Sequence, residues 1–319
     1  MSVRDPGEMI AAAWTGSRVA LARLLTIVES GGTLQRETVA LAYRERVPYV
    51  IGITGAPGAG KSTLTDRLIG TGLGVGESGS PLKQIAVLCV DPSSPFTGGA
   101  ILGDRIRMQD HATDQRVFIR SMATRGHLGG LSLAVPDALR VLGASGFSVV
   151  LVETVGVGQM EVEIASAADS TVVVINPGWG DSMQANKAGL LEVADIFVVN
   201  KADRAGVRET RRDLEQMLDL GAVRSWRPPI LETVATNGTG TDALWVAINE
   251  HREHQNRSGE LVRRRRERIE GDLSRVLALE ARLRAVSVAG GATYERLVSA
   301  LVAGEIDPYS AADQLLAPQ

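Results

Sequence analysis

The stretch from Gly55 to Thr63 constrains the fold more than any other part of this chain. It matches the phosphate-loop pattern G-x-x-x-x-G-K-[ST] at every fixed position. A strand-like apolar run, residues 49–54, precedes it, and a helical apolar rhythm begins at Leu64. Glycines let the backbone wrap closely around a phosphate, and the helix N-terminus adds partial positive charge. The predicted nucleotide-binding residues of this loop are Gly55, Ala56, Pro57, Gly58, Ala59, Gly60, Lys61, Ser62 and Thr63.

Two side chains of this loop have predicted chemical roles. Lys61 can reach the β- and γ-phosphates, and the Ser62 hydroxyl can ligate Mg²⁺. The chain is therefore expected to bind a nucleoside triphosphate together with magnesium.

Further near-continuous apolar runs predict a sheet that is buried on both faces. They cover residues 85–90, 148–153, 171–176, 196–200 and 230–234, with helical stretches between them. The predicted fold class is α/β, a doubly wound and mainly parallel sheet of the P-loop NTPase type. In such a fold the ligand site lies at the carboxyl ends of the strands.

The flanks predict helical additions to this domain. Residues 1–47 form an N-terminal helical extension, broken at Gly31-Gly32, with a second short helix from Glu37 to Arg46. The phosphate-loop domain is predicted to cover residues 48–256. Residues 257–319 form a C-terminal helical arm whose apolar stripe needs another surface and can pair two subunits. The basic run at 263–266 could contact nucleic acid, but interspersed acidic residues favour a solvated helix face.

Composition narrows the class of partner. The formal net charge of −3 argues against a general nucleic-acid or membrane surface. Cys89 is the single cysteine, so no disulfide can form within one chain. With no signal-like N-terminus and no membrane-length apolar run in the sequence, a cytoplasmic location is predicted.

A second motif predicts the base. Asn200-Lys201-Ala202-Asp203 fits N-K-x-D, and the Asp203 carboxylate can accept hydrogen bonds from the ring N–H and the 2-amino group of guanine. Adenine has no such donor pair, so a site of this kind discriminates against ATP. The Lys201 stem can cover the base, while Asn200 ties neighbouring loops together. Ala235, Thr236 and Asn237 are candidates for backbone contacts to the base edge, although a plain loop is an alternative.

Carboxylates near the other strand ends predict the magnesium shell. Glu153 begins the sequence Glu-Thr-Val-Gly, where most GTPases have D-x-x-G, and it can reach Mg²⁺ directly or through water. Asp91 ends a strand and Asp104 lies in the following glycine-rich loop, where helix capping is the alternative role for Asp104. The predicted metal residues are Ser62, Asp91, Asp104 and Glu153, and the predicted catalytic residues include Lys61, Glu153 and Asp104.

Three stretches together resemble the MeaB/ArgK-like GTPases, the methylmalonyl-CoA mutase-associated family: ETVGVGQ from Glu153, DPSSPFTGGAILGD from Asp91, and NKAD. The resemblance implies a homodimeric GTPase that assists loading and protection of an adenosylcobalamin-dependent acyl-CoA mutase. It also implies an additional switch at residues 176–187. In that switch Lys187 approaches the nucleotide as a further catalytic residue, unless it is simply an exposed helix lysine.

Other functions remain open at this point. A metal-delivery GTPase would need a ligand cluster, and the histidines (His111, His127, His251 and His254) form no recognisable set. A kinase, the older label of the ArgK branch, would need an acceptor site and a base. A dimeric scaffold that binds nucleotide without turnover is the fourth possibility. The sequence shows no obvious arginine finger, so slow turnover without a partner is expected, with Arg105, Arg107 and Arg125 as candidates.

Overall fold

The computed structural model describes residues 5–74, 82–91, 111, 113–123, 134–154, 164, 166–178, 192–221 and 224–316. The chain divides into two compact units, residues 1–261 and 262–319. The division into the three predicted domains stays a prediction.

The first unit is built on a seven-stranded sheet in which every pairing is parallel. Its order is β3-β2-β4-β1-β5-β6-β7, so β1 lies near the centre. The predicted α/β class with a mainly parallel sheet is confirmed. The strands are β1 (Tyr49–Gly55), β2 (Ile85–Asp91), β3 (Val117–Ala123), β4 (Val149–Thr154), β5 (Ser170–Ile175), β6 (Ile196–Asn200) and β7 (Ile230–Thr233).

The edge strand β3 was absent from the six predicted strands. Its apolar run is interrupted by Arg120 and Ser121, and Arg120 pairs with Glu29 of the N-terminal region. An edge strand is less enclosed than a central one, so its sequence need not be continuously apolar. The criterion of a near-continuous apolar run, which identifies the buried central strands, therefore does not identify β3.

Successive residues of the central strands face opposite sides of the sheet, and both sides are covered by helices. Val150 and Val152 of β4 join one core, while Val149 and Leu151 join the core on the other face. This alternation makes the sheet doubly wound. Among the described residues, the helices of this unit are α1 (Pro6–Trp14), α2 (Arg18–Ser30), α3 (Thr33–Ala42), α4 (Lys61–Leu73), α5 (Ala134–Ala144), α6 (Val207–Leu220) and α7 (Thr241–Ser258).

The N-terminal region contains three helices where the sequence predicted two. The predicted break at Gly31-Gly32 is present, but the helix after it begins at Thr33, four residues earlier than predicted. An additional break precedes Ser17, whose side chain accepts a hydrogen bond from the Ala20 amide and caps α2. Buried side chains of α1 and α2 share one continuous core with α5 and with the sheet. On the opposite face α4 and α7 cover the sheet.

A buried polar network lies at the amino-terminal ends of the central strands, away from the phosphate loop. The Tyr49 hydroxyl donates to Gln255 Oε1 at 3.0 Å and lies 2.6 Å from Ser170 Oγ. Ser170 Oγ is 2.6 Å from His251 Nδ1, and His251 Nε2 lies 3.5 Å from Asp195 Oδ1. Burial raises the pKa of Tyr49 well above its usual value. These contacts attach α7 to the start of the central strands.

The second unit consists of α9 (Pro308–Leu316) and the part of α8 (Glu260–Val302) that follows residue 261. Gly304, with a positive φ of 72°, ends α8, and Asp307 accepts hydrogen bonds from the first turn of α9. Leu297 and Ala311 are buried. Within the described residues of both units, no helix combines the length and the apolar character needed to cross a bilayer.

Candidate nucleotide-binding site

The phosphate loop connects the carboxyl end of β1 to the first turn of α4, as the motif predicts. The Ala59 amide donates to Ala56 O at 3.2 Å, and the Leu64 amide donates to Gly60 O at 2.9 Å as the helix begins. The loop therefore lies at the edge of the sheet where a doubly wound fold binds its ligand.

Two glycines of this loop are required by their surroundings. A Cβ on Gly55, which has φ +133°, would lie 2.0 Å from Val174 O of the neighbouring strand. A Cβ on Gly60, which has φ +92°, would lie 2.4 Å from Asn200 Nδ2. Gly58 also has a positive φ, of +74°, but nothing lies within 4 Å of its Cβ position. The close approach of neighbouring elements, in addition to backbone freedom, thus explains glycine at the first two positions.

Lys61 is buried, and its ammonium group lies against the loop. Its Nζ donates to Gly55 O at 2.7 Å and to Ala56 O at 3.0 Å. A lysine held in this position keeps its charge inside the concave side of the loop, where it can attract phosphate oxygens. Its role toward the β- and γ-phosphates stays a prediction.

Ser62 and Glu153 meet beside the loop, although 91 residues separate them in the sequence. The Ser62 hydroxyl donates to Glu153 Oε1 at 2.6 Å, and both residues are buried. Glu153 is brought there because β4 pairs with β1, with Glu153 opposite Ile53. Hydroxyl and carboxylate oxygens are hard donors of the kind that Mg²⁺ prefers, so the two residues fit a magnesium site.

Asn200 joins the phosphate loop to the loop after β7. Its Nδ2 donates to Ala59 O at 2.8 Å, while its Oδ1 accepts from the Thr233 hydroxyl at 3.0 Å and the Ala235 amide at 3.1 Å. The residue is 2% exposed. The predicted linking function of Asn200 is therefore seen as three hydrogen bonds made by one buried amide.

Lys201 and Asp203 follow at the surface. Lys201 adopts φ 61°, a conformation unusual for a residue with a side chain, and its Nζ donates to Gly58 O at 2.6 Å. Its stem therefore runs alongside the phosphate loop. Asp203 is exposed, and its carboxylate makes no hydrogen bond to any of the residues described. An exposed carboxylate beside the loop is suited to receive the donors of a base.

Three consecutive backbone N–H groups in the loop after β7 differ in whether they donate a hydrogen bond to another described residue. The Ala235 amide donates to Asn200 Oδ1 and the Asn237 amide donates to Val234 O. The Thr236 amide makes no hydrogen bond within the described part of the chain. Of the three residues predicted to contact the base edge, Thr236 is thus the one whose N–H remains available.

Some predicted site residues cannot be placed. Asp104 and Lys187 lie outside the described residues, as do the three candidate arginines and most of the predicted switch. For Asp91 the structure describes the backbone at the end of β2 but not the side chain. Their roles stay predictions.

Sequence reasoning missed two contacts made by residues of α4. The Arg67 guanidinium contacts the loop after β7, and His111 Nε2 lies 3.0 Å from Asp66 O. Neither contact has a local sequence signal, because each joins residues far apart in the chain.

Comparison with known proteins agrees with this geometry. A family model described as methylmalonyl Co-A mutase-associated GTPase MeaB matches residues 21–289. A Pyrococcus abyssi protein that carries the name of a GTPase is 48% identical over 97% of this chain and 95% of its own length. The mouse mitochondrial protein named methylmalonic aciduria type A homolog is 34% identical over 78% of this chain and 64% of its own length.

A solved structure extends the likeness to the whole chain. The crystal structure of a LAO/AO transport system kinase is 28% identical and has a TM-score of 0.70. The match covers 99% of this chain and 97% of that one. The family resemblance predicted from the three sequence stretches is confirmed.

Gly60→Ala is expected to damage the site more than Gly58→Ala. The new Cβ at position 60 would displace Asn200, so we expect about tenfold weaker GDP binding and roughly 2 kcal/mol lower unfolding free energy. Gly58→Ala adds only the strain of a positive φ, about 1 kcal/mol. Calorimetric GDP titration and urea unfolding without nucleotide measure both effects. Equal effects of the two substitutions would contradict the assigned contact with Asn200.

Proposed function

The chain belongs to the MeaB family of methylmalonyl-CoA mutase-associated GTPases, and we propose that it is a Mg²⁺-dependent GTPase serving an adenosylcobalamin-dependent acyl-CoA mutase. In this proposal, GTP hydrolysis accompanies loading of the mutase with its cofactor and protection of the loaded enzyme. The family description and the name of the mouse relative support the mutase as partner.

The observation that carries the GTPase assignment is the hydrogen bonding of Asn200. One buried amide contacts both the phosphate loop and the loop after β7. This supports a pairing of the Asp203 carboxylate, three residues later, with the N–H and 2-amino groups of guanine while Lys61 attracts the phosphates. Because adenine would leave that carboxylate without a partner, GTP is preferred over ATP.

Hydrolysis in such a site depends on position and charge. The Lys61 ammonium attracts the β- and γ-phosphate oxygens, and the N-terminus of α4 directs its first backbone amides toward them. Ser62 and Glu153 would hold Mg²⁺, with Asp91 and Asp104 as further candidates. When bound, this ion supplies positive charge that offsets the charge developing on the transferred phosphoryl group. No covalent step on the protein is required.

The base assignment predicts the effect of Asp203→Asn. When its Oδ1 accepts from the ring N–H, an asparagine presents its Nδ2 donor to the 2-position, where it can donate to the 2-oxo group of xanthine but meets a second donor in the guanine amino group. GDP affinity should fall at least about a hundredfold while xanthosine diphosphate gains affinity. Asp213→Asn, a matched change of an exposed carboxylate on α6, should alter neither affinity. Calorimetry with GDP, XDP and ADP tests this, and a wild-type preference for ADP would contradict the proposal.

The mutase role predicts a partner-dependent rate. The purified protein should turn over GTP slowly, and a cognate adenosylcobalamin-dependent mutase should raise phosphate release by at least about tenfold, since partners can complete such sites. Capture of candidate mutases should also differ between GDP and a non-hydrolysable GTP analogue.

Three further measurements separate the alternative functions. Transfer of the labelled γ-phosphate to a metabolite or protein would favour a kinase. Tight stoichiometric nickel or zinc binding would favour metal delivery. Nucleotide-dependent capture without turnover would favour a scaffold.

We further propose that the second unit pairs two copies of the chain. Ile269, Val276 and Leu283 recur every seven residues on α8 and are all exposed. Such a spacing places apolar side chains along one seam, as in paired helices. Leu273 and Leu279 widen the exposed stripe. A second copy offers the same stripe and so buries it symmetrically.

Substitutions that introduce charge into the exposed apolar stripe of α8 test this pairing. Ile269→Glu combined with Val276→Glu should shift the protein from dimer to monomer in sedimentation or light scattering, because burying two carboxylates per chain opposes association. Leu220→Glu, at an exposed position of α6, is the matched control and should leave the mass unchanged. A double variant with unaltered mass would exclude this stripe as the dimer contact.

A further inference from the structure

Arg67 connects the phosphate-loop helix to the loop that follows β7. Its Nε donates to Ala235 O at 3.2 Å, and its NH2 donates to Thr236 O at 3.3 Å. One helical turn later, Thr71 Oγ1 lies 3.4 Å from Thr241 Oγ1 at the start of α7. Contacts from α4 therefore hold both ends of the segment between Ala235 and Thr241.

These contacts fix the direction of a specific peptide group. In a trans peptide the carbonyl and the following N–H point in opposite directions, and no cis peptide occurs in the described residues. Since the Ala235 carbonyl faces Arg67, the Thr236 N–H is directed away from α4. The neighbouring amides of Ala235 and Asn237 are already used by Asn200 and Val234. The Thr236 N–H is thus a single oriented donor.

We propose that Arg67 is a positioning residue for base specificity: its two hydrogen bonds hold the Thr236 N–H toward the 6-oxo group of a bound purine. The inference rests on the proposed function, in which a guanine nucleotide occupies the site. It adds a second element of recognition, because Asp203 reads the N–H and 2-amino edge while Thr236 reads the 6-position. A 6-amino group would present a donor to this donor, so adenine is rejected there as well.

The chemistry of arginine suits this role. A planar guanidinium presents two donors in a fixed arrangement, which matches two successive carbonyl oxygens, whereas a lysine ammonium is a flexible point charge. Arg67 is exposed on the outer side of α4, so its removal leaves no cavity in the core. Its effect should therefore be on orientation of the loop.

Modified purines separate the two elements of recognition. In 6-thioguanosine diphosphate a weaker acceptor replaces O6, and in inosine diphosphate the 2-amino group is missing. For wild type we expect GDP to bind roughly tenfold tighter than the 6-thio analogue, and for Arg67→Gln under about threefold tighter. The ratio of GDP to inosine diphosphate should be unchanged in Arg67→Gln, because Asp203 is intact. Calorimetric titration of the full chain with the three nucleotides, for wild type and for Arg67→Gln, measures all six affinities.

Two further variants make the result decisive. Arg67→Lys keeps the charge but loses the paired donors, so it should resemble Arg67→Gln, and retention of the full 6-thio ratio would overturn the proposal. Arg212→Gln removes an equal charge from an exposed position on α6 and should match wild type. Equal weakening of all three nucleotides by Arg67→Gln would also overturn the inference while leaving the guanine assignment, tested by Asp203→Asn, in place.

Discussion

The buried amide of Asn200 is the contact on which the nucleotide site depends. It is 2% exposed and forms three hydrogen bonds, to Ala59 O, Thr233 Oγ1 and the Ala235 amide. A carboxylate at this position could accept but not donate, and would lose the bond to the phosphate loop. An aliphatic side chain would leave buried backbone groups without partners. The phosphate loop and the loop after β7 are therefore joined by hydrogen bonds that neither a carboxylate nor an aliphatic side chain supplies.

Buried polar residues have different roles at the amino ends of the strands, called here the amino edge of the sheet, and at their carboxyl ends, the carboxyl edge. At the amino edge, Asp169 Oδ2 accepts from the Val50 amide, and Asp195 Oδ2 accepts from the Thr171 amide, so carboxylates satisfy the first amides of buried strands. At the carboxyl edge, Glu153 and Ser62 are equally buried but contact each other next to the phosphate loop. The polar residues at the amino ends of the strands thus stabilise strand pairing, whereas those at the carboxyl ends can contact a ligand.

How much could be read from the sequence depended on whether a feature was local. The phosphate loop and the Asn200 motif are contiguous patterns, and the buried strands are contiguous apolar runs, so all were found. Strand β3 was missed because its edge position tolerates Arg120 and Ser121. Arg67 was missed because its partner Ala235 lies 168 residues away, and an exposed arginine on a helix has no distinguishing local pattern. Its position is defined only once α4 and α7 pack on the same face of the sheet.

The linkage between loops also bears on how a nucleotide could change the protein. Lys201 and Asn200 bond to carbonyls of the phosphate loop, and Arg67 bonds to carbonyls of the loop after β7. The phosphate loop and the loop after β7 are thus connected through Asn200 at the end of β6, while Arg67 of α4 contacts the loop after β7. In the proposed site, a bound phosphate that orders the phosphate loop would therefore lower the conformational entropy that remains to be lost when the loop after β7 closes on the base. The loop after β7 leads directly into α7, whose His251 and Gln255 belong to the network at the amino edge. A continuous series of hydrogen bonds and one helix therefore connects the nucleotide site to the opposite edge of the sheet.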